Sequence, residues 1–418
     1  MKCIAILSAG SRGDVHPFAA LGRAIQDRGL AVRLLTFHPF RKFITELGLE
    51  FFPVSDPMDT LKSSADWHRW QSPEIDLPRK LMALRSLIVQ SHQPFIRMLD
   101  ESINGCADCD AIVSSTSGFA GPHIAEKLSL PFCWAFLQPE TPTGLFPHYM
   151  TPSPRSLGSL VNRATYSAAG WTFQALFGNT VNAWRQKSLG LAPSATGIFG
   201  GRNSPPVLYG FSRHVIAKPP DWDERTHITG YWFVGADAEW TPSPEIASFL
   251  ANGAPPIAVC LDSMKAKADV LDLITSATGQ TGQRAVVVTS GQSYSLRKVS
   301  DHIFTTSYAP FEWLFPKVAA VVHHGGAGTA ASALRAKRPS ILVPGFFDQA
   351  FWANTMYRLG AAPAPLFGHT LSVRTLTSGI EAVIGRPGYR QRAAILGERI
   401  AEEDGAGSAA DLILRYFS

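Results

Sequence analysis

The chain has 418 residues, of which 45% are hydrophobic and 17% are charged. These proportions describe a globular protein of two or three domains with a sizeable core, and they exclude a disordered chain. The net charge of +5 is slight for this length, so it excludes a strongly basic nucleic-acid-binding surface, although it suits an anionic ligand or an anionic membrane surface.

The first half of the chain is predicted to alternate strands with helices. The predicted strands are residues 3–7, 31–36, 51–54, 111–114, 132–136 and 207–211. The predicted helices are residues 17–27, 39–47, 118–128 and 157–187, with a helical insertion at about 57–100 and a loop at 139–154. This alternation is typical of βαβ units, so the first half should form a parallel sheet.

Prolines mark a boundary in the middle of the chain. Pro219, Pro220, Pro242 and Pro244 give this region the composition of a linker. After it the alternation resumes, with predicted strands at 257–261, 285–289, near 303, 319–322 and 341–343 and a helix at 268–278. We therefore predict an α/β protein with two Rossmann-like parallel-sheet domains facing a central cleft. The predicted limits are 1–218 for the first domain, 219–250 for the linker, 251–395 for the second domain, and 396–418 for a C-terminal helix that packs back on the first.

The second domain contains a glycine-rich loop between a predicted strand and a predicted helix. The apolar run 318–322 is followed by His323-His324-Gly325-Gly326-Ala327-Gly328-Thr329 and then by a helix of small residues at 330–337. Glycines let the backbone approach a ligand closely, and the free N–H groups and dipole of a helix N-terminus favour a phosphate. Capping residues around a tight turn would also explain the glycines and Thr329, but not the histidine pair. Further on, Asp348-Gln349 offers a carboxylate and an amide suited to sugar hydroxyls, so the two loops together indicate a nucleotide-sugar site.

The cysteines and the N-terminus indicate a cytoplasmic protein with reduced thiols. The five cysteines are an odd number, and Cys106-Ala-Asp-Cys109 has no second pair with which to bind zinc. Residues 1–7 run directly into a glycine turn and are predicted as a strand, not a signal peptide. No apolar run approaches the ~20 residues that a membrane-spanning helix requires. Any membrane contact is therefore expected to be peripheral.

Motifs in order along nearly the whole chain carry a family resemblance. They are Gly10-Ser11-Arg12-Gly13-Asp14-Val15-His16-Pro17, Gly121-Pro122-His123-Ile124-Ala125-Glu126, Pro220-Asp221-Trp222, Thr229-Gly230-Tyr231-Trp232-Phe233, Trp313-Leu314-Phe315-Pro316, the histidine–glycine loop, and Asp348-Gln349-Ala350-Phe351-Trp352. With these motifs the chain resembles the GT-B-fold, family 1 glycosyltransferases, above all the sterol 3-β-glucosyltransferases and next the bacterial transferases of glycopeptide and glycolipid biosynthesis. The resemblance implies an inverting, metal-independent transferase with an acceptor-binding N-terminal domain and a nucleotide-sugar-binding C-terminal domain.

In the first loop, the resemblance places a catalytic base at Asp14. An acceptor hydroxyl has a pKa well above 7 and needs a positioned base as it attacks the anomeric carbon. His16 is the second candidate for this base. Asp14 could instead be a loop-stabilising or helix N-terminal carboxylate, because aspartate is common there. Ser11 and Arg12 are implied to line the donor diphosphate, and the alternative for Arg12 is a solvated surface charge.

On the donor side, the resemblance implies that the diphosphate is lined by His323, His324, Gly325, Gly326, Gly328 and Thr329. Asp348 and Gln349 would hold the sugar hydroxyls, with an N-cap before a helix at 351–359 as the alternative. Tyr308 and Phe311 stand where many relatives hold the nucleobase with tryptophan and glutamine. Two sequences, Asp108-Cys-Asp110 and Asp221-Trp-Asp223, imitate a DxD metal motif but lie far from the phosphate loop, so no metal is expected.

One departure from the family pattern lies at the end of the first strand of the second domain. Where relatives carry Phe-Gly-Ser-Met, this chain has Cys260-Leu261-Asp262-Ser263-Met264. Ser263 keeps the implied donor contact, but Asp262 brings a carboxylate close to an anionic donor, which would repel it. Asp262 could also contact a donor hydroxyl, select an unusual donor, or weaken activity.

The acceptor is predicted to lie in the N-terminal domain, which is rich in aromatic residues. Most of these should be core, but an apolar pocket formed by Trp134, Phe136, Phe146 and Tyr149 would suit a sterol, a polyketide or another lipid alcohol. The predicted reaction transfers a hexose, from UDP-glucose, to a hydroxyl of this acceptor. Two alternatives stay open: a dTDP- or UDP-deoxysugar transferase of natural-product or glycolipid assembly, and a non-catalytic auxiliary protein with the same fold.

Overall fold

The structure is a computed structural model, and it describes residues 1–59, 61, 64–71, 75–151, 155–194, 205–235, 240–261, 267–289, 297–368 and 370–418. The predictions for Asp262 and Ser263 fall outside these described residues.

The strands form two sheets. Their bounds are β1 Cys3–Leu7, β2 Ala31–Phe37, β3 Glu50–Val54, β4 Ala111–Ser114, β5 Phe132–Phe136, β6 Val207–Tyr209, β7 Thr226–Ile228, β8 Ile257–Cys260, β9 Ala285–Val288, β10 Arg297–Lys298, β11 Ile303–Thr306, β12 Ala320–His323 and β13 Ser340–Leu342. The first sheet is entirely parallel and has the order β3-β2-β1-β4-β5-β6-β7. The second has the order β10-β11-β9-β8-β12-β13, and in it only the pair β10–β11 is antiparallel.

Helices connect these strands. Their bounds are α1 Arg12–Gln26, α2 Arg41–Glu46, α3 Ala65–Gln71, α4 Leu77–Cys106, α5 Gly121–Leu128, α6 Ser159–Trp184, α7 Pro244–Ala251, α8 Lys267–Thr281, α9 Phe311–Leu314, α10 Ala327–Arg335, α11 Gln349–Arg358, α12 Val373–Gly385, α13 Pro387–Ala401 and α14 Gly405–Phe417. Short 3-10 turns cover His38–Phe40 and Phe315–Lys317, and a π turn, Arg185–Leu189, follows α6.

The central strands are buried on both faces, which explains why the sequence predicted them correctly. In β1, Ile4 pairs with Val32 on one side and Ala111 on the other, and Ile4 and Ile6 are fully buried. In β12, all four residues are buried. Parallel strands covered by helices on both faces appear in sequence as short continuous apolar runs, and such runs are easy to recognise.

The first helix begins five residues earlier than predicted. A helix start at Pro17 was expected because proline is common in the first turn, but α1 begins at Arg12 and contains Pro17. Ser11 and Asp14 form a capping box, which supplies partners for the first helical N–H groups. Asp14 therefore lies in the first turn of a helix and not in the predicted loop.

The segment 219–250, predicted as a linker, is not wholly a linker. β7 pairs with β6 and is the edge strand of the first sheet. The helix α7 packs through Ile246 and Phe249 against the second sheet. β7 was missed because three residues carry too little hydrophobic pattern to stand out among the prolines and glycines that flank them.

The C-terminal segment 396–418 contains the end of α13 and then α14, and not a single helix. In α14, Ala409, Ala410 and Ile413 are fully buried in the core of the first domain, where the helix packs on α1. Arg28, two residues beyond the end of α1, donates to the Gly407 carbonyl over 2.9 Å. The chain therefore crosses between the domains twice.

The two domains share a buried apolar junction beside the cleft. Phe211, from the first domain, contacts Trp352 of α11 edge-on, with ring centroids 5.9 Å apart. Phe146 and Phe351 make a similar contact at 5.9 Å. The junction brings together the loops at the carboxyl ends of the two parallel sheets, where ligands bind in folds of this kind.

Candidate active site in the interdomain cleft

Two helix N-termini face each other across the cleft. A Cβ placed on Gly328, in the first turn of α10, would lie only 3.9 Å from the Cα of Gly13 in the first turn of α1. Each N-terminus carries the positive end of a helix dipole. Their convergence gives the cleft a positive potential suited to a diphosphate.

Glycines shape the loop that leads into α10. Gly325 has a φ of +86°, in the left-handed region, and a Cβ there would lie 2.9 Å from the Gln349 carbonyl oxygen. A Cβ on Gly326 would lie 2.7 Å from Nε2 of His324. At position 325 glycine is needed because other residues rarely adopt a left-handed backbone conformation. At position 326 glycine leaves room for the His324 ring to lie against the loop.

His323 supports this loop from behind and does not face the cleft. The side chain is 0% exposed, its Nδ1 accepts the Gly325 N–H at 3.1 Å, and its Nε2 lies 3.1 Å from Ser340 Oγ. Burial, with a smaller contribution from His324, lowers the pKa of His323 to about 3, so the ring is neutral and Nε2–H donates to Ser340. The prediction that His323 lines the diphosphate is corrected on this point: protein groups occupy both ring nitrogens.

This geometry makes His323→Ala a test of a supporting role. We expect the free energy of unfolding to fall by at least about 2 kcal/mol, because the Gly325 N–H and the Ser340 hydroxyl lose their buried partner. Urea denaturation measures the loss, and Ser340→Ala, which removes only one of the two partners, should show a smaller one. If His323→Ala kept wild-type stability but abolished UDP binding in calorimetry, the histidine would be a direct ligand.

Asp14 combines a capping role with a place in the cleft. Its Oδ2 accepts the Ser11 N–H at 2.7 Å and the Ser11 hydroxyl at 2.8 Å. A Cβ on Gly10, whose φ is +146°, would lie 2.5 Å from the same oxygen, so the loop needs glycine here. Burial raises the pKa of Asp14, while the hydrogen bonds from Ser11 act in the opposite direction. Within the described residues both hydrogen bonds end on Oδ2, which leaves Oδ1 to meet a substrate hydroxyl.

His16, the second candidate base, is already occupied. Arg12 Nε donates to its Nε2 over 3.1 Å, and its ring stacks on Phe43 at 3.9 Å. Burial, and next the Arg12 charge, lower the pKa of His16 to about 3. Because the Nε2 lone pair already accepts a hydrogen bond, His16 is not placed to take a proton from an acceptor.

Arg12 bridges the two domains. Its Nη2 donates to the Tyr308 hydroxyl over 3.1 Å, and its guanidinium carbon lies 4.6 Å from the centroid of that ring. Arg12 is exposed, but its contacts with His16 and Tyr308 mean that it is not the free surface charge that the sequence left open. It places a cation at the cleft beside both helix N-termini, next to the residue predicted to hold the nucleobase.

Asp348 is held by groups from both domains. Its Oδ2 accepts from Gln138 Nε2 at 3.1 Å and from Trp352 Nε1 at 3.0 Å. Burial, together with the Asp14 carboxylate, raises the pKa of Asp348 to about 6, while the hydrogen bonds from Gln138 and Trp352 act in the opposite direction. The two carboxylates therefore share one cleft. Although Asp348 stands at the N-cap of α11, its side chain makes no capping hydrogen bond, which disfavours the N-cap alternative.

Gln138 is a site residue that the sequence did not reveal. It lies two residues beyond the end of β5, at the carboxyl edge of the first sheet, and its amide reaches Asp348 across the cleft. Its position at a strand end, just before Pro139, is the signal that could have found it. Gln349, which follows Asp348 in the sequence, hydrogen-bonds to the backbone of the loop before it. Its Oε1 accepts from Gly345 N at 2.8 Å and from Phe346 N at 3.2 Å.

Three of the four predicted acceptor aromatics are buried in the core, and the fourth, Phe146, is half-buried. Trp134 and Phe136 are 5% and 6% exposed and stack on each other at 5.2 Å in a buried cluster. Tyr149 is buried and donates to Glu140 over 2.8 Å, and Phe146 packs at the domain junction. Trp134, Phe136 and Tyr149 are buried because large aromatic rings fill the space beside β5 and β6. Residue type alone does not separate such core positions from a pocket.

A small cavity lies instead at the carboxyl ends of β1 and β2, next to the loop that leads to Asp14. It is shallow and partly open to solvent, and its volume is about 260 Å³ when the solvent at its mouth is counted. Its walls are mostly apolar, with three serines, and comprise Leu7, Ser8, Ala9, Leu35, Val54, Met98, Ser102, Ser117, Gly118, Phe119 and Ala120. Small side chains leave this space unfilled, and small residues in a sequence do not by themselves predict a cavity.

The DxD look-alikes serve structural roles. Asp108 pairs with Arg33, and Asp110 accepts from the backbone N–H of Cys3 at 2.9 Å. Asp221 accepts from Thr143 and Gly144. Across the described ranges no group of three metal-ligating side chains comes together, and no described helix is long and apolar enough to cross a membrane.

Comparisons with known proteins identify the family. Residues 4–147 match the model of the glycosyltransferase family 28 N-terminal domain, and residues 274–410 match the erythromycin biosynthesis protein CIII-like C-terminal domain. The sterol 3-beta-glucosyltransferase UGT80B1 of Arabidopsis thaliana is 32% identical over 423 residues, which cover 99% of this chain and 68% of that protein. The chain belongs to the sterol 3-beta-glucosyltransferase family. It is therefore a glycosyltransferase, as the motifs predicted.

Other members of the sterol 3-beta-glucosyltransferase family are longer. UGT80A2 of Arabidopsis thaliana is 29% identical, and the matched region covers 99% of this chain but 65% of the plant protein. The relative from Sclerotinia sclerotiorum is 31% identical, with 99% of this chain covered and 29% of the fungal protein. The chain thus spans about two thirds of the plant relatives and less than a third of the fungal one.

Solved structures confirm the fold predicted for this family member. The glycotransferase of kitacinnamycin superposes with a TM-score of 0.73 at 17% identity, covering 100% of this chain and 99% of the other. The calicheamicin glycosyltransferase gives 0.71 at 18% identity, with coverages of 100% and 98%. VinC in complex with dTDP gives 0.65 at 16% identity, with 99% of each chain covered. At such identities the likeness establishes the two-domain GT-B fold and nothing finer.

Proposed function

We propose that this protein transfers glucose from UDP-glucose to the 3-hydroxyl of a sterol, with inversion at the anomeric carbon. The observation that carries the proposal is the position of Asp14, between an apolar cavity in the first domain and two converging helix N-termini. The names of the plant and fungal relatives support the choice of sterol and glucose.

The donor is proposed to lie along the second domain. Its diphosphate would meet the N-terminus of α10 and the Arg12 guanidinium, which reaches across the cleft to Tyr308 of the second domain. As the sugar–phosphate bond breaks, negative charge grows on the diphosphate, and donors already aimed at it stabilise the transition state more than the ground state. Asp348, held by Gln138 and Trp352, would accept hydrogen bonds from the sugar hydroxyls. These groups can carry the phosphate charge without a metal.

The acceptor is proposed to enter the cavity of the first domain. Ser8 and Ala9 line that cavity, and Gly10, the next residue, lies against the Asp14 carboxylate. The Ser8 hydroxyl donates to the Asp14 carbonyl over 2.8 Å, which fixes the cavity wall to the turn that holds the base. A sterol whose hydroxyl-bearing end lies at the mouth of this cavity would present that hydroxyl to Asp14. The base and the diphosphate would then stand on opposite sides of the sugar, as in-line displacement with inversion requires.

The direct test is a transfer assay with purified protein, UDP-glucose and cholesterol dispersed in detergent. We expect a steryl glucoside by mass spectrometry, with an anomeric proton coupling of the β configuration by NMR. An α product would contradict inversion. Product formed only from dTDP-deoxysugars would overturn the choice of donor, and binding of UDP without any transfer would favour a non-catalytic role.

Met98→Trp tests the cavity. Met98 lines it from α4, so a larger side chain should fill it and raise the KM for the sterol by ~10-fold or more, while hydrolysis of UDP-glucose without acceptor stays near wild type. Val89→Trp, on the exposed face of the same helix, is the matched control and should leave both rates unchanged. An unchanged sterol KM in a Met98→Trp protein with wild-type melting temperature would place the acceptor elsewhere.

A further inference from the structure

Two exposed phenylalanines stand immediately before Asp348. Phe346 is 47% exposed and Phe347 is 70% exposed. Phe347 also has a φ of +54°, in the left-handed region that bulky residues rarely adopt. Glycine would adopt this conformation without strain, and a ring left in solvent adds nothing to a core. The chain thus keeps an aromatic side chain in solvent at a conformational cost that folding alone does not explain.

The loop that carries these phenylalanines is fixed by hydrogen bonds. Gln349 Oε1 accepts the backbone N–H groups of Gly345 and Phe346 at 2.8 and 3.2 Å. Asp348, next to Phe347, accepts hydrogen bonds from both domains. The two rings are therefore held on a defined backbone, beside the cleft that Asp348 shares with the candidate base.

A helix of the first domain reaches this loop across the cleft. The Trp70 ring, from α3, stacks on the Phe346 ring with centroids 6.1 Å apart and an interplanar angle of 27°. Trp67, one turn earlier in α3, lies against Trp70 at 5.5 Å. We refer to Trp67, Trp70, Phe346 and Phe347 as the aromatic bridge. Unlike the buried apolar junction between the domains, the aromatic bridge is partly exposed to solvent.

The helix α3 is tied to the helix that lines the proposed acceptor cavity. It packs against α4, and Gln90 of α4 donates to Asp66 Oδ2 over 3.3 Å. Further along α4, Met98 and Ser102 line the cavity. At a rise of about 1.5 Å per residue, Gln90 and Met98 are separated by about 12 Å along the helix axis. The aromatic bridge and the cavity are thus two apolar surfaces arranged along one helix.

The cavity alone does not account for the binding of a polycyclic acceptor. It is shallow and partly open to solvent, whereas binding sites for small molecules bury most of the ligand surface. A sterol whose hydroxyl-bearing end lies at the mouth of the cavity leaves its rings outside. These rings need a further apolar surface beside the cleft.

We propose that the ring system of the acceptor lies across the aromatic bridge, in contact with Trp70, Phe346 and Phe347. The stacked rings of Trp70 and Phe346 leave no room for a ligand between them, so the ligand covers both from the solvent side. Such contact removes apolar area of both partners from water, which favours a flat, polycyclic, apolar alcohol over a polar acceptor. Acceptor preference then depends on the second domain as well as on the first. This inference rests on the proposed function, because it concerns the acceptor of the same reaction.

Binding of dehydroergosterol, a fluorescent sterol, tests the aromatic bridge without requiring transfer. The full-length protein, saturated with UDP, is titrated against the sterol dispersed in detergent, and the anisotropy of the sterol fluorescence reports binding. We expect Phe346→Ala and Phe347→Gly each to weaken sterol binding by ~10-fold. Trp70→Ala should add little to the loss in Phe346→Ala, because the two rings form one surface. UDP affinity in calorimetry should stay at the wild-type value, because UDP lacks the sugar that Asp348 is proposed to hold.

Phe347→Gly separates a role in binding from a role in folding. Glycine adopts a positive φ freely, so this variant should melt at or above the wild-type temperature while it loses sterol affinity. A structural role for the ring would instead lower the melting temperature. The matched control is Tyr357→Ala, which removes a ring of similar exposure, 49%, near the other end of α11 and should bind the sterol like wild type.

Three outcomes would overturn the proposal. The first is wild-type sterol affinity in Phe346→Ala and Phe347→Gly, and this result would stand even if the protein forms a steryl glucoside. The second is an equal loss of affinity in Tyr357→Ala. The third is a wild-type protein that does not bind dehydroergosterol. Sterol binding that depends on the aromatic bridge but leads to no transfer would support the bridge and contradict the proposed reaction, so the two proposals can fail separately.

Discussion

Asp14→Asn should lower turnover by ~100-fold or more and leave the affinity for UDP within about twofold of wild type. The substitution removes the carboxylate oxygen that is proposed to take the acceptor proton. It keeps a side-chain carbonyl that can accept from the Ser11 N–H and hydroxyl, so the capping box at the start of α1 should survive. Steady-state transfer from UDP-glucose to a sterol gives turnover, and calorimetry with UDP gives the affinity.

A matched variant separates the two candidate bases. His16→Asn retains a side-chain acceptor for Arg12 and should lower turnover far less than Asp14→Asn. The base assignment would move to His16 if that variant lost as much activity as Asp14→Asn. Near-wild-type turnover in Asp14→Asn would leave Asp14 with the capping role alone.

Asp348→Ala should lower the kcat/KM for UDP-glucose by ~100-fold, because a site built to hydrogen-bond sugar hydroxyls discriminates strongly when the acceptor is lost. The substitution also leaves Gln138 Nε2 and Trp352 Nε1 without their shared acceptor, so the free energy of unfolding should fall by about 1–3 kcal/mol. Asp348→Asn, which retains an acceptor for both donors, should keep most of the stability and lose most of the donor selectivity. Equal donor kcat/KM in all three proteins would remove Asp348 from the sugar site.

The pH dependence of stability gives an independent measure of Asp348. Its pKa of about 6 in the folded protein lies above the value of about 3.9 for an unperturbed aspartate, so the folded state holds the proton more tightly. The stability that this group contributes is complete below its unfolded pKa and is lost as the pH rises through about 6. Urea denaturation between pH 4 and 7 should therefore show a decline with pH that is smaller in Asp348→Asn. Donor use should move the opposite way, because hydroxyl recognition by the carboxylate fades below about pH 6.

Most strands and the two glycine-containing loops could be predicted from the sequence, because a single local requirement determines the residues at each of them. A strand buried on both faces, such as β1 or β12, must be a short apolar run. Gly325 must be glycine because of its φ and its contact with α11. Local requirements of this kind can be recognised from the sequence alone.

The rest of the candidate site depends on where the chain brings distant residues together. His323 and His324 are adjacent in sequence, yet His323 is buried behind the loop and His324 is half-buried beside Gly326. Two residues of the same type give no indication in the sequence of this difference. Gln138 gains its place only because the second domain delivers Asp348 to it. The cavity is defined by the smallness of Ala9, Gly118 and Ala120, whereas the large aromatic residues that suggested a pocket fill the core.

The return of α14 to the first domain makes the second domain an insertion within the first, in the order of the chain. The two connecting segments touch where Gly405 lies so close to Gly230 that an added Cβ would come within 2.5 Å of the Gly230 carbonyl carbon. A chimera that joins the first half of this protein to the second half of a relative must therefore keep residues 405–417 from the parent of the first half. Otherwise α1 would face a foreign helix in place of Ala409, Ala410 and Ile413. Exchanging donor specificity within this family thus requires two splice points, placed side by side at the two crossings.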